Sequence, residues 1–202
     1  MSKYRIITIE RQYASGGRAV GKQVAAQLGV PCYGREILEM AAERNGQTAE
    51  YIEHLEETAS GSMFYSFIAA YNRTLRGEGD LLSPEDMLLY TEAEIIRELA
   101  GEGPCVFVGR SAGCILQDRS DVLRVFIHAD DDARLRRAVE EYGHDPKEAA
   151  AVLRRYDKRR ANFYNVNYNL KWGDKAGYHI CLDSGKLGVD ACARLLLGLV
   201  QG

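Results

Sequence analysis

What this chain lacks narrows it first. It has no C-x-x-C pair. Its five cysteines, Cys32, Cys105, Cys114, Cys181 and Cys192, are odd in number and widely spaced, which argues against a disulfide framework or thiolate metal site and for reduced core residues. No run of about eighteen apolar residues occurs, so no membrane-spanning helix is expected. The opening Met1-Ser2-Lys3-Tyr4-Arg5 leads into a strand pattern without a signal-like segment, which makes the cytoplasm the expected location. Excess charge is missing too: 26 basic against 29 acidic residues give a formal net charge of −3, so the whole chain offers no electrostatic case for nucleic acid or a membrane surface. Any basic site must be local. The four histidines, His54, His128, His144 and His179, show no metal-ligand spacing, no G-x-S-x-G elbow marks a serine hydrolase, and no repeat or low-complexity tract is visible. No metal-ligating residue is therefore assigned.

What is present is an alternation of apolar strands and amphipathic helices. At 202 residues and 46% hydrophobic, the chain suits a single domain over residues 1–202. Strand patterns fall at Ile6 to Ile9, Val30 to Tyr33, Pro104 to Gly109, Leu123 to His128 and Tyr178 to Asp183. Between them, helical spacing covers about Ala19 to Leu28, Gly34 to Glu43, Ala49 to Leu75, Ser83 to Ala100, Asp131 to Tyr142, Asp145 to Tyr164 and Val189 to Val200. Ser83-Pro84-Glu85-Asp86 reads as a helix start, and Met63, Phe64, Phe67, Ile68 and Tyr71 form an apolar stripe for core or subunit packing, so a homodimer stays open. Strands joined through helices give an α/β fold: a parallel sheet of about five strands with helices on both faces, its ligands at the strands' carboxyl ends.

The chemistry-bearing residues gather at those ends. After the first strand, Ser15-Gly16-Gly17-Arg18-Ala19 is a glycine turn running into a helix, the layout in which backbone N–H groups cradle a phosphate. The usual cradle is G-x-x-x-x-G-K-[ST]; Gly17 stands where the lysine belongs and Ala19 where the hydroxyl belongs. Arg18 is the charge beside the turn, Lys22 lies one turn on and is less well placed, and Ser15 is a candidate substitute for the hydroxyl. A second signal is Arg154-Arg155-Tyr156-Asp157-Lys158-Arg159-Arg160, where residues three and four apart share a helix face and Arg155 and Arg159 can point together. Arg134, Arg136 and Arg137 cluster after the fourth strand. Phosphoryl transfer needs several such cations.

With these motifs, and with Pro31-Cys32-Tyr33, Gly109-Arg110, Val125-Phe126-Ile127-His128-Ala129, Tyr164, Trp172, Tyr178 and Leu182-Asp183-Ser184-Gly185-Lys186, the chain resembles the cytidylate kinase-like group of P-loop nucleoside monophosphate kinases. The resemblance implies a P-loop kinase-like three-layer sandwich with a helical lid, residues 34–80 forming an acceptor-side helical region and 145–177 a lid region. It implies ATP with Mg²⁺ as cofactors and a small-molecule nucleotide acceptor as partner. Ser15, Gly16, Gly17, Arg18 and Ala19 would hold the donor phosphates, with Arg18 supplying the lysine's charge, while Arg134 and Arg137 would flank the donor base. Arg155, Arg159 and Arg160 would close over the transferring group with Arg18, and Arg11, Tyr33, Arg110 and Ser111 would serve the acceptor. Besides Gly17 and Ala19, Ser111 and Gly34 stand where cytidylate kinases carry acidic groups, which makes CMP a poor acceptor. The expected activity is an ATP-dependent phosphotransferase acting on a nucleotide or related small acceptor; the alternative is a catalytically silent nucleotide-binding sensor.

Overall fold

A computed structural model describes residues 3–48, 84–168 and 170–201. Within them, strands β1 (Ile6–Arg11), β2 (Cys32–Tyr33), β3 (Cys105–Val108), β4 (Val122–His128) and β5 (Ile180–Asp183) form one parallel sheet in the order β2-β3-β1-β4-β5. β1 is central. Ile9 lies opposite Val108 on one side and Val125 on the other, and Arg11 lies opposite Ile127. The chain leaves β1 towards β2 and leaves β3 towards β4, so the loops after these neighbouring strands diverge and open a crevice at their carboxyl ends.

The two-residue period of β1 sorts the cores. Ile7 and Ile9 face helices α1 (Gly17–Leu28) and α8 (Val189–Gln201), where they pack with Val20, Val24, Val106, Ile127 and Leu196. Ile6 faces α2 (Arg35–Arg44), α3 (Pro84–Glu102) and the short α4 (Ala112–Ile115), packing with Ile37, Ile95, Ile96 and Phe107. α5 (Asp131–Glu140) and α6 (Ala149–Tyr168) lean on each other beside the loop after β1, and the short α7 (Ser184–Leu187) follows β5. Asp130 caps α5 by accepting from the Ala133 N–H, so this acid serves the helix start, and Gly29 ends α1 in the left-handed conformation.

All five expected strands are present, and sheet and layers match the expected α/β sandwich. α1 starts two residues early, because Gly16 in the left-handed region lets the chain turn straight into a helix at Gly17. The helix expected over 145–164 runs from Ala149 to Tyr168. The one-turn helices α4 and α7 were not expected, being too short to show a period. The Met63 to Tyr71 stripe and the Ser83 cap lie outside the described residues, as does most of the 34–80 segment. Cysteines 105, 114 and 192 are buried as expected, but Cys181 is exposed on β5 at the sheet edge; all five are free thiols. No helix of the described residues is long and apolar enough to cross a membrane.

One glycine fixes how closely α1 approaches the sheet. A Cβ on Gly21 would lie 2.6 Å from Val108 Cγ2, in a core with no room to yield. Gly21→Ala should therefore cost about 1–3 kcal/mol of stability. Chemical denaturation measures it; an unchanged midpoint would mean that α1 sits further from β3.

Candidate functional site

The crevice holds a cavity of about 390 Å³ lined by Arg11 to Ala14, by Gly16, Gly17 and Arg18 of the cradle, and by Lys22, Cys32 to Glu36, Val108, Arg110, Tyr142 and Arg160. Its charge is lopsided. Arg11, Arg18, Lys22, Arg35, Arg110 and Arg160 face it, whereas Glu36 is the one carboxylate among the described lining residues. Against the upward push of burial, N–H groups of Glu36 and Gly34, with Arg18 and Lys22 further off, hold the Glu36 carboxyl below its ordinary range. Its Oε2 accepts the Gly34 N–H at 2.8 Å. Burial first, and repulsion from Arg11 second, pull Arg160 down to about 9. Burial lowers Arg11 as well, with Glu10 opposing and Arg110 adding to the shift. Both stay charged at neutral pH, and an anion placed between them would relieve the repulsion.

The cradle is built by strain and by clamping. Ala14 takes a φ of 56° and Gly16 one of 79°, winding the loop so that the first N–H groups of α1 open towards the cavity with no carbonyl a turn back to bond them. The carbonyls point the other way, onto arginines. Arg160 Nη1 donates to Arg11 O at 2.8 Å, Arg134 Nε to Tyr13 O at 2.9 Å and Arg137 Nη1 to Ala14 O at 2.9 Å. Asp157 accepts the Tyr13 N–H at 2.7 Å and pairs with Arg134. The Tyr13 ring stacks on Tyr156 at 4.2 Å, and its hydroxyl meets His144 Nε2 at 2.8 Å.

Several expected roles change in this geometry. Arg134 is 4% exposed and engaged with Tyr13, Asp131 and Asp157, and Arg137 divides between Ala14 and Glu141; both brace the loop from behind and neither lines the cavity. Arg155 and Arg159 lie over the Tyr156 ring at 5.7 and 5.8 Å and do not line the cavity; Arg160 does line it. Ser15 is fully buried, its hydroxyl directed to Gln12 O at 2.9 Å and Ile127 O at 3.1 Å, so it cannot replace the missing cradle hydroxyl. Ala19 is exposed and outside the lining. Counted strictly along the motif, the hydroxyl position is 18, so Arg18 takes its place. Ser111 is buried at the start of α4, away from the lining.

Gly16, Gly17, Arg18, Arg11, Tyr33 and Arg110 are all brought to the cavity. Gly109, Arg110 and Ser111 have φ of 79°, 55° and 52°, an unusual left-handed run that costs about 1–2 kcal/mol for each non-glycine and turns Arg110 into the crevice. There Arg110 meets buried Glu92 of α3 at 3.5 Å. An acid thus meets Arg110 from another helix, while position 111 itself carries serine. Glu92, Glu36, Lys22 and Asp157 are the participants that sequence reasoning passed over or undervalued. A buried glutamate within the periodic α3 helix was the available sign for Glu92.

A central strand, a glycine turn into α1 and a cationic crevice in a 2-3-1-4-5 sheet define a P-loop kinase fold. The profile of the cytidylate kinase-like family matches residues 6–186, and the chain belongs to that family. An uncharacterised protein from Eubacterium ventriosum, 26% identical, superposes with a TM-score of 0.72 over 98% of each chain. Shikimate kinase from Bacteroides thetaiotaomicron, 17% identical, superposes at 0.54 over 96% of each, and that from Acinetobacter baumannii, 13% identical, at 0.53 over 97% of this chain and 92% of its own; these two share the fold. Among curated proteins no relative matches.

The clamp is testable apart from any activity. Asp157→Ala leaves Nη2 of the buried Arg134 and the Tyr13 N–H without their acceptor, so stability should fall by about 3 kcal/mol. Urea melts measure the loss; a drop below about 1 kcal/mol would mean that the loop keeps its shape without this carboxylate.

Proposed function

We propose that the protein is an ATP-dependent phosphotransferase whose acceptor is a nucleotide or a related small molecule. The observation that carries this reading is the set of six cations against one carboxylate around a cavity at the mouth of a glycine turn. Such a cavity suits a polyphosphate: N–H groups of the α1 start would hold donor oxygens, and Arg160, Arg11 and Arg18 would offset charge on the group in transfer. Arg110, fixed by Glu92, and Tyr33 lie on the far wall, where an acceptor would sit. Glu36 faces the same space two residues beyond Gly34, so an acid is available for acceptor recognition in place of the aspartate absent there.

The fit differs for the two expected cofactors. The lining residues suit ATP phosphates. They do not suit a protein-held Mg²⁺, since the cradle turns no hydroxyl into the cavity and no group of three or more His, Cys, Asp or Glu among the described residues is placed to hold a metal. Phosphate oxygens and water would then be the ion's ligands. That same lack of a cradle hydroxyl favours a second reading, a nucleotide-binding sensor that does not turn over.

Phosphoryl transfer from ATP, measured across nucleoside monophosphates, nucleosides and small hydroxy acids, separates the two. Transfer to at least one acceptor is expected, and Arg160→Ala should lower kcat by about two to three orders of magnitude with a smaller effect on ATP binding. Tight ATP binding with no transfer to any acceptor would overturn the enzyme in favour of the sensor.

A further inference from the structure

In the usual cradle, G-x-x-x-x-G-K, the first glycine precedes the lysine by six residues. Counted back from Gly17, that position holds Arg11, so the chain carries a cation where the motif has glycine and glycine where the motif has its cation. The geometry explains why the two go together. A Cβ built on Gly17 would lie 2.6 Å from Arg11 Cβ and 2.9 Å from Arg11 Cγ, atoms at the fixed base of that side chain, which cannot swing aside. No side chain fits at 17 while Arg11 is present. Beyond Gly17, the Arg11 side chain runs on to Gly109, where a Cβ would fall 1.9 Å from Nη1 and 2.7 Å from Cζ. Two glycines on two different strand-end loops therefore leave the path that one arginine follows.

That path ends where a cation is needed. The guanidinium lies against the turn that presents Arg110, in the wall shared by the cradle and the acceptor side, while the backbone carbonyl of Arg11 is held by Arg160. Arg18, which follows Gly17, is exposed on the outer first turn of α1. We propose that Arg11 and Gly17 are an exchanged pair, in which Arg11 reaches over Gly17 to carry the charge that the cradle lysine carries elsewhere, and that Arg11, rather than Arg18, contacts the transferring phosphoryl group. The proposal rests on the phosphotransferase reading above. A planar guanidinium at this place can bridge two phosphate oxygens, whereas a lysine ammonium offers one compact charge.

The exchange has a steric half and a functional half, and each has its own readout. For the steric half, Gly17→Ala alone should lower the melting temperature clearly, and adding Arg11→Gly should restore most of it; a double variant no better than Gly17→Ala overturns the exchange whatever the protein binds. For the functional half, the affinity for ATP is measured by calorimetry. Arg11→Gly should weaken it at least tenfold, the swap R11G/G17K should recover to within about threefold of the natural chain, and Arg18→Ala should cost less than Arg11→Gly. Arg11→Met, which keeps the stem without the charge, should behave like Arg11→Gly if the swap variant fails to fold. A natural chain that binds ATP as well as its Arg11→Met and Arg11→Gly variants do would overturn this assignment and leave the kinase reading standing. A natural chain that binds no ATP would overturn both.

Discussion

The Asp157 carboxylate is the point on which the crevice depends. It takes the Tyr13 N–H with one oxygen and Arg134 with the other, and so ties the loop after β1 to α5 and α6. Around it, three successive arginine contacts fix the carbonyls of Arg11, Tyr13 and Ala14. The loop's N–H groups are drawn inward as well: Gln12 donates to Ile127 O, Ser15 to Gln12 O and Tyr13 to Asp157. Held from both sides, the loop fixes where the start of α1 lies, in a segment whose Ala14 would otherwise leave its left-handed conformation for a relaxed one.

The arginines that do this work at the back of the loop also shape the field in front of it. Arg134 and Arg137 are neutralised in part by Asp131, Asp157 and Glu141, so their charge is local. Arg160 is different. It is close to Asp157 only at 3.9 Å, lies 5.7 Å over the Tyr13 ring, and is repelled by Arg11. Two partly buried like charges cost free energy that the surrounding loop hydrogen bonds offset, and a polyphosphate would remove the cost directly. In the phosphotransferase proposed above, such a site would be arranged for an anion before any anion arrives, which is electrostatic preorganisation.

Much of this was legible in the sequence. The β-branched run of β1, the glycine turn and the continuous apolar strands β3 and β4 announce a parallel sheet with its site at the carboxyl ends, and Arg11, Arg18, Tyr33 and Arg110 follow as cavity residues from their positions just past those strands. What was not legible is the direction of each cation. Spacing sets Arg155 and Arg159 on one face but does not say which face meets the cavity; Tyr156 stacks on Tyr13 with Arg155 and Arg159 over its ring, and Arg160 alone of the three enters the cavity. Ser15 is another such case: a hydroxyl beside a glycine turn reads as a ligand until β4 supplies Ile127 O as its partner. Contacts between residues more than a hundred positions apart carry these distinctions, and local pattern does not.

In the proposed phosphotransferase, the acceptor side would follow a different logic from the donor side. Donor binding in this fold is mostly backbone, so it tolerates the loss of a lysine provided that some cation reaches the same space. Acceptor recognition is made by side chains and has no such reserve. Here Arg110 is pushed into the crevice by two consecutive non-glycine residues in left-handed geometry and is steadied by a buried glutamate from α3, while Tyr33 rests 5.7 Å from Phe107 of the neighbouring strand. Strain of this kind persists only where the surrounding structure over-determines it. A turn relaxed to ordinary backbone would aim Arg110 elsewhere, so the left-handed pair and the Glu92 contact together fix where this guanidinium lies. In the phosphotransferase proposed above, acceptor specificity would therefore lie in the Gly109 to Ser111 turn and its Glu92 partner.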